Sequence, residues 1–393
     1  MVPPRRWIRW AAAALVAAGL LASGLILHDA PGRGRSASFS LLCGAAFGIV
    51  LQRSRFCFAS AFRDLFLLSD RRAALGVLVA LAVGSVGYQV VFGAWVPDPS
   101  AGHMPPTAHI APASWHLLLG GAAFGLGMVL SGGCISGNLY RLGEGSLTAP
   151  AALAGTVAGF WAGTLVWNPL YVRVVSTAPV VWLPSHLGYA GSLAAQLALL
   201  ALLGALLLRY MPGLSPRPAR PVTLDVACRK VFVDGWPAWA GGIAIGVLGT
   251  FAFLRTRPLG VTSEIGRASR ALGSAMGFLP ERLEGLDLMA GCRPLDTEHL
   301  LSENGIFVLG LVLGSALAAL AAGEFRLRLG RPRGHVLSLA GGVLLGFGAM
   351  ISLGCTVGTM LSGIMAFSLS GWVFLAGLLS GAWGGAGLLR RLS

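Results

Sequence analysis

What most constrains this chain is a succession of long stretches that carry no charged side chain. From Ala73 to Trp95, and again from Thr148 to Val172, no Asp, Glu, Lys or Arg occurs. A helix crosses the apolar part of a bilayer in about 20 residues, so each such stretch is sized to span a membrane. Over 393 residues the apolar share is 55% and the charged share 11%. Soluble domains carry roughly a quarter charged residues, and disorder needs low hydrophobicity with high charge. Both classes are excluded. The composition reads as an all-α polytopic membrane protein with roughly 9–11 transmembrane helices plus short re-entrant helices.

Candidate spans fall near residues 10–28, 39–52, 73–95, 115–131, 148–168, 188–209, 238–254, 304–322, 335–352 and 370–389. Two of them, 39–52 and 238–254, are short for a full crossing. Brief apolar pieces at 135–140, 258–278 and 356–369 read as re-entrant or half-membrane helices. The first span follows Arg5, Arg6 and Arg9 without a small-residue cleavage site, which predicts a retained helix. The stretch from Val96 to Pro112 contains Asp98 and no Lys or Arg, so it is expected outside. The stretch from Arg209 to Gly235 carries Arg217, Arg220, Arg229 and Lys230, so it is expected in the cytoplasm. Glu281 to Asn304 mixes both signs and points to neither side. The net charge of +14 sits in such short clusters, and no basic stripe interleaved with aromatics argues for a nucleic-acid partner.

The chain also repeats itself. Gly120, Gly121, Gly125, Gly127, Ser131, Gly133, Cys134 and Gly137 return, 221 residues later, as Gly341, Gly342, Gly346, Gly348, Ser352, Gly354, Cys355 and Gly358. Gly155, Gly159, Trp161 and Gly163 return as Gly377, Gly381, Trp383 and Gly385, and Arg53-Ser54-Arg55 is answered by Arg255-Thr256-Arg257. Duplication follows, with an N-terminal helix and linker over 1–37, a first repeat over 38–208, a basic linker over 209–236, and a second repeat over 237–393 with an insertion at 258–300. The first Gly-Gly segment follows the uncharged loop ending at Pro112, whereas its partner follows Arg326, Arg328, Arg331 and Arg333. The two repeats are therefore expected to be inverted, an arrangement whose substrate site lies near the bilayer midplane.

Six cysteines are present: Cys43, Cys57, Cys134, Cys228, Cys292 and Cys355. No CxxC, HxxxH or HExxH occurs, so no redox dithiol, metal or other cofactor is expected, and no GxxxxGK[ST] supports direct use of ATP. In each repeat a glycine-rich helix runs to a Gly-Cys step, Gly133-Cys134 or Gly354-Cys355, with Gly137 or Gly358 three residues after the cysteine. Such a step breaks a helix and exposes backbone N–H groups that favour an anion. A thiol is a weak, polarisable donor suited to transient contact with a soft sulfur anion. A lone cysteine on an apolar helix is more often a small packing residue, which is the reading for Cys43; recurrence at two predicted breaks favours function for Cys134 and Cys355. Arg53 and Arg55, just before Cys57, either attract an anion or form an interfacial basic cluster. The repeat counterpart of Cys57 is Leu259. Cys228 has no evident role, Cys292 sits in a charged loop, and Glu144 is expected to pair with Arg141.

Three separated motifs carry a resemblance. Gln52-Arg53-Ser54-Arg55-Phe56-Cys57-Phe58 with Phe62-Arg63-Asp64, then Gly132-Gly133-Cys134 through Tyr140-Arg141-Leu142-Gly143-Glu144-Gly145, then Gly354-Cys355 with Ser370-Gly371-Trp372, resemble the YeeE/YedE sulfur-transport family in the same order. The resemblance implies a multi-pass bacterial inner-membrane importer of thiosulfate or a related sulfur anion. It implies that Cys57, Cys134 and Cys355 line a central constriction and hand the ion on by S–H to sulfur contacts. It also implies a cytoplasmic TusA-like sulfur-carrier partner, while some longer relatives are linked to selenium compounds. The extra N-terminal segment and the 258–300 insertion depart from the shorter members and leave the sulfur or selenium species open. Gly133, Gly137, Gly354, Gly358, Arg53 and Arg55 are the expected supporting residues, with no catalytic residue. Two other readings remain: a membrane sulfur-transfer enzyme using a persulfide, and an assembly subunit, for which a duplicated Gly-Cys break has no purpose.

Overall fold

The computed structural model describes residues 4–30, 32, 34–67, 70–209, 234–277, 282–286 and 301–392. Cys228, Cys292, nearly all of the basic linker and most of the 281–304 loop lie outside them. The first half contains α1 (Pro4–His28), α2 (Gly34–Ser54), α3 (Phe58–Leu67), α4 (Arg72–Trp95), α5 (Trp115–Ser131), α6 (Ile135–Gly143), α7 (Thr148–Leu170) and α8 (Pro184–Arg209). The second contains α9 (Ala238–Arg255), α10 (Ser263–Ala275), α11 (Glu303–Ala322), α12 (Pro332–Ile351), α13 (Thr356–Met365) and α14 (Leu369–Leu392). Among the described residues ten helical stretches are long and apolar enough to cross a membrane. The protein is a multi-pass membrane protein.

Two short pieces differ from expectation. The span expected at 39–52 is in fact the 21-residue α2, which opens with the polar run Arg35, Ser36, Ser38 and Ser40. Hydrogen bonding makes that run tolerable: Ser38 Oγ donates to the Gly24 carbonyl of α1 at 2.7 Å, and Ser36 bonds Glu303 of α11. The apolar piece expected at 258–278 is α10, an amphipathic helix carrying Glu264, Arg267 and Arg270. It lies against α7, where Ser269 Oγ donates to the Val157 carbonyl at 2.8 Å.

Glycine sets the helix contacts. Lipid tails give no hydrophobic drive for one apolar helix to join another, so association depends on close backbone approach through small residues. A β-carbon on Gly44 or Gly48 would strike the Phe307 or Leu311 carbonyl of α11, and one on Gly242 or Gly246 of α9 would strike Gly76 or Ala80 of α4. Gly155 and Gly159 of α7 meet Leu339 and Val343 of α12; Gly377 and Gly381 of α14 meet Leu118 and Ala122 of α5. The partners cross between repeats: α2 lies on α11 while its counterpart α9 lies on α4, and α7 lies on α12 while its counterpart α14 lies on α5. The halves interlock rather than stand side by side.

At the centre α5 meets α12. Gly120 faces Gly348 and Ser352, while Gly127 faces Gly341. Each contact is thus the repeat image of another, and the helices run antiparallel, as an inverted pair must. Substituting Gly342, whose β-carbon would meet the Ala152 carbonyl, is expected to separate α12 from α7. In detergent, Gly342→Ala should lose roughly 1–3 kcal/mol of stability, read as a lower melting temperature by size-exclusion with thermal challenge. Gly93→Ala, where nothing lies within 4 Å, should melt with the parent protein.

Candidate functional site

Both Gly-Cys steps break their helices. α5 ends at Ser131, Gly132 takes a left-handed φ of 72°, and Cys134 is extended as the cap of α6. Its Sγ accepts from the Gly137 N–H at 3.3 Å and lies 3.3 Å from Ser136 Oγ, so sulfur replaces the usual oxygen cap. Two side chains from α6 fold back onto the break. Asn138 Nδ2 donates to the Gly133 and Cys134 carbonyls at 3.2 and 3.1 Å, and Arg141 donates to the Gly132 carbonyl. In the second repeat α12 ends at Ile351, Leu353 is left-handed at φ 56°, and Cys355 is extended before the π-type turn that opens α13. Here the brace comes from the other repeat: His109 Nε2–H donates to the Leu353 carbonyl at 3.1 Å.

The first break brings two of the expected cysteines together. Cys57 follows the left-handed Arg55 (φ 51°), and its carbonyl accepts from Ala61 N–H and Ser60 Oγ, both at 2.9 Å, which starts α3. The Cys57 and Cys134 thiols come together against one glycine. Gly137 is what lets them meet: a β-carbon there would stand 2.8 Å from Cys57 Sγ and 3.3 Å from Cys134 Sγ.

Cys355 keeps different company. The backbone of Val261, Val357 and Gly358 and the side chain of Thr262 surround its thiol. Leu259, the repeat counterpart of Cys57, lies two residues before Val261, and its carbonyl accepts from Ser362 Oγ of α13 at 3.1 Å. Because Ser131 faces Gly341 while Ser352 faces Gly120, the two helix ends lie about 16 Å apart along the axis at 1.5 Å per residue. All three thiols are buried.

Arg53 and Arg55, expected as anion-attracting cations, belong to a balanced cluster. Arg55 pairs with Glu144 at 3.1 Å and with Glu324 at 2.9 Å; Arg53 lies 3.5 Å from Glu324. Gln52 Nε2 donates to both carboxylates, at 3.3 and 2.7 Å. Two carboxylates offset two guanidiniums, and Glu144 pairs with Arg55 rather than with Arg141. An open cavity of about 460 Å³ adjoins the cluster, lined by Arg55, Ser60, Asp64, Tyr140, Arg141 and Glu144. It stops at the residues beside Cys57 and Cys134. Trp236, at the end of the basic linker, donates its N–H to the Arg53 carbonyl at 2.8 Å, so cavity and linker end share a face.

Sequence reasoning missed Glu324, Asn138, Arg141, His109 and Thr262 as parts of these sites. Asn138 and Arg141 left a signal, since they stand four and seven residues after Cys134 on one helix face. His109 and Glu324 left none, because their partners lie in the other repeat.

A model of the family described as Sulphur transport matches residues 53–384. The chain belongs to the sulphur-transport family. Over 364 residues it is 30% identical to thiosulfate transporter TsuA of Spirochaeta thermophila, covering 89% of this chain and 98% of that protein. The corresponding TsuA of Escherichia coli is 29% identical over 351 residues, 87% of this chain and 92% of that one. Probable transporter YedE of Escherichia coli matches a shorter part, 32% over 108 residues, 28% of this chain and 24% of that protein.

Thiols that touch should oxidise together. Treating the purified protein with diamide is expected to join Cys57 to Cys134 in peptide mapping and to leave Cys355 unpaired. In Gly137→Ala the yield of that disulfide should fall several-fold.

Proposed function

We propose that this protein is a bacterial inner-membrane transporter that takes up thiosulfate or a related small sulfur anion along a route lined by Cys57, Cys134 and Cys355. The observation that carries the reading is the duplicated Gly-Cys break. Each copy holds a buried thiol at a broken helix in the interior of a membrane protein, and family membership supplies the sulfur chemistry. The two relatives that align over nearly the whole chain are both named thiosulfate transporters.

Chemically, the interior provides neutral donors. Thiol S–H groups and backbone N–H groups at helix breaks hold an anion through dipoles, without a fixed charge in contact with it. Conduction requires each site to bind weakly enough to release, and neutral donors meet that requirement better than a buried lysine. Gly133, Gly137, Gly354 and Gly358 keep the breaks and the approach to the thiols open. Arg53 and Arg55 act at the rim, where their carboxylate partners moderate the attraction.

The positive-inside rule orients the route. The end of the basic linker and the loop bearing Arg326 and Arg328 lie on the Arg55 face: Leu147 N–H donates to the Arg328 carbonyl at 3.1 Å, next to Glu144. On that reasoning the 460 Å³ cavity opens to the cytoplasm, and the arginine cluster is the exit rather than the entrance. A TusA-like sulfur carrier would receive the ion there. In this reading the protein performs no covalent chemistry and needs no cofactor.

Uptake of radiolabelled thiosulfate into proteoliposomes tests the proposal. Cys57→Ala, Cys134→Ala and Cys355→Ala should each reduce the initial rate at least tenfold at equal incorporation. Wild-type rates in all three would remove the cysteine route, and absence of flux in the parent protein would remove the transport reading itself.

A further inference from the structure

The two breaks occupy matching places in the repeats but differ in chemistry. At the Cys57–Cys134 break the polar side chains are satisfied: Ser60 donates to the Cys57 carbonyl, Ser136 lies 3.3 Å from Cys134 Sγ, and Asn138 makes two hydrogen bonds. At the Cys355 break the hydroxyls of Thr262 and Thr356 are completely buried; Thr356 has no hydrogen-bond partner, and Thr262 has none beyond the Cys355 thiol. Thr356 follows the cysteine directly, and Thr262 lies beside its thiol. Buried hydroxyls are nearly always bonded, and leaving one unmet costs roughly 1–3 kcal/mol. Two at a single cysteine call for a ligand that supplies acceptors.

Repeat symmetry sharpens the contrast. Ile135 occupies the place of Thr356 in the first repeat by the 221-residue offset, and a thiol, Cys57, occupies the place of Leu259. One break therefore offers two thiols, whereas the other offers one thiol, two buried hydroxyls and the backbone of Val261, Val357 and Gly358. A narrow cleft, about 20 Å³ and so little larger than one water, approaches the second from the opposite face. Arg257, Asn304, Leu259 and Gly260 line it, and Gly260 adjoins Val261.

We propose that the Cys355 break is an oxyanion-reading site, in which the Thr262 and Thr356 hydroxyls donate to the oxygens of a sulfur oxyanion. The Cys57–Cys134 pair is a separate, sulfur-reading site. This rests on the transport reading above and adds what distinguishes the two stations: the first recognises the oxygen-bearing end of the ion, the second its terminal sulfur. An anion without oxygens, such as hydrosulfide, gains nothing from the hydroxyls, so the pair of threonines is a specificity determinant.

Binding and flux are measured separately, with thiosulfate and sulfite as the probes. Thermal stabilisation of the purified protein by each anion reports binding, and proteoliposome uptake reports transport. Thr262→Val/Thr356→Val, which keeps shape and removes both donors, should raise the KM for thiosulfate at least tenfold and abolish stabilisation by sulfite. Thr262→Ser/Thr356→Ser should restore both. Cys57→Ala/Cys134→Ala should lose flux yet retain stabilisation by sulfite. An unchanged KM and unchanged stabilisation in the valine double variant would overturn the site. If that variant does not purify intact, the single variants decide by the same two readouts, each expected to shift KM at least threefold. A parent protein that is stabilised by both anions but moves neither would sink the transport reading while leaving the oxyanion site standing; no stabilisation by either anion would sink the site.

Discussion

Close contact between helix backbones, made possible by glycine, is the constraint on which the rest depends. In water, burial of apolar side chains would hold such a bundle together; in lipid that drive between helices is absent and van der Waals contact replaces it. The contacts of Gly44 and Gly48 with α11, of Gly242 and Gly246 with α4, and of Gly155 and Gly159 with α12 are of one kind, a carbonyl seated where a β-carbon would be. Because each pair joins one repeat to the other, neither half can bury its glycine faces alone. The central α5–α12 contact then fixes where both helices stop, and so where both cysteines are displayed.

Much of the fold was legible because membrane spans announce themselves by the absence of charge. The ten candidate spans all correspond to helices, and the glycine register at a 221-residue offset identified helices that prove to be antiparallel neighbours. What misled was local polarity with distant relief. Arg35, Ser36 and Ser38 made the second span look short, since nothing nearby shows that Gly24 and Glu303 receive their hydrogen bonds. The exchange of partners between repeats was equally hidden, because a glycine face states that a backbone comes close and not whose.

The same division applies to the site. Cys134 and Cys355 were visible through their repetition and Cys57 through its motif, and the family resemblance implied a constriction that all three line. Cys57 and Cys134, 77 positions apart in the chain, come together with Gly137 as the gap between them, while Cys355 lies against Val261 and Thr262. Arg53 and Arg55 looked like free cations because Glu324 lies far along the chain at the end of α11. A charge is legible in sequence; its neutralisation by a residue from the other repeat is not.

Neutralisation of that kind is consistent with the chemistry of the interior. A strong positive potential would draw an anion in and then hold it, since the attraction between unit charges grows steeply as water is excluded. Here the guanidiniums are matched by carboxylates at one face, and the interior beyond them offers thiols, hydroxyls and peptide N–H groups. Each is a dipole whose attraction falls off faster with distance than that of a charge, so an anion gains by contact and loses little on leaving. The two proposed stations, with their different donor sets, would add a selectivity that net charge cannot provide, because sulfate, sulfite and thiosulfate differ less in charge than in which end presents sulfur and which presents oxygen. For such a route, an interior poor in charge is the condition under which weak, chemically specific contacts decide what passes.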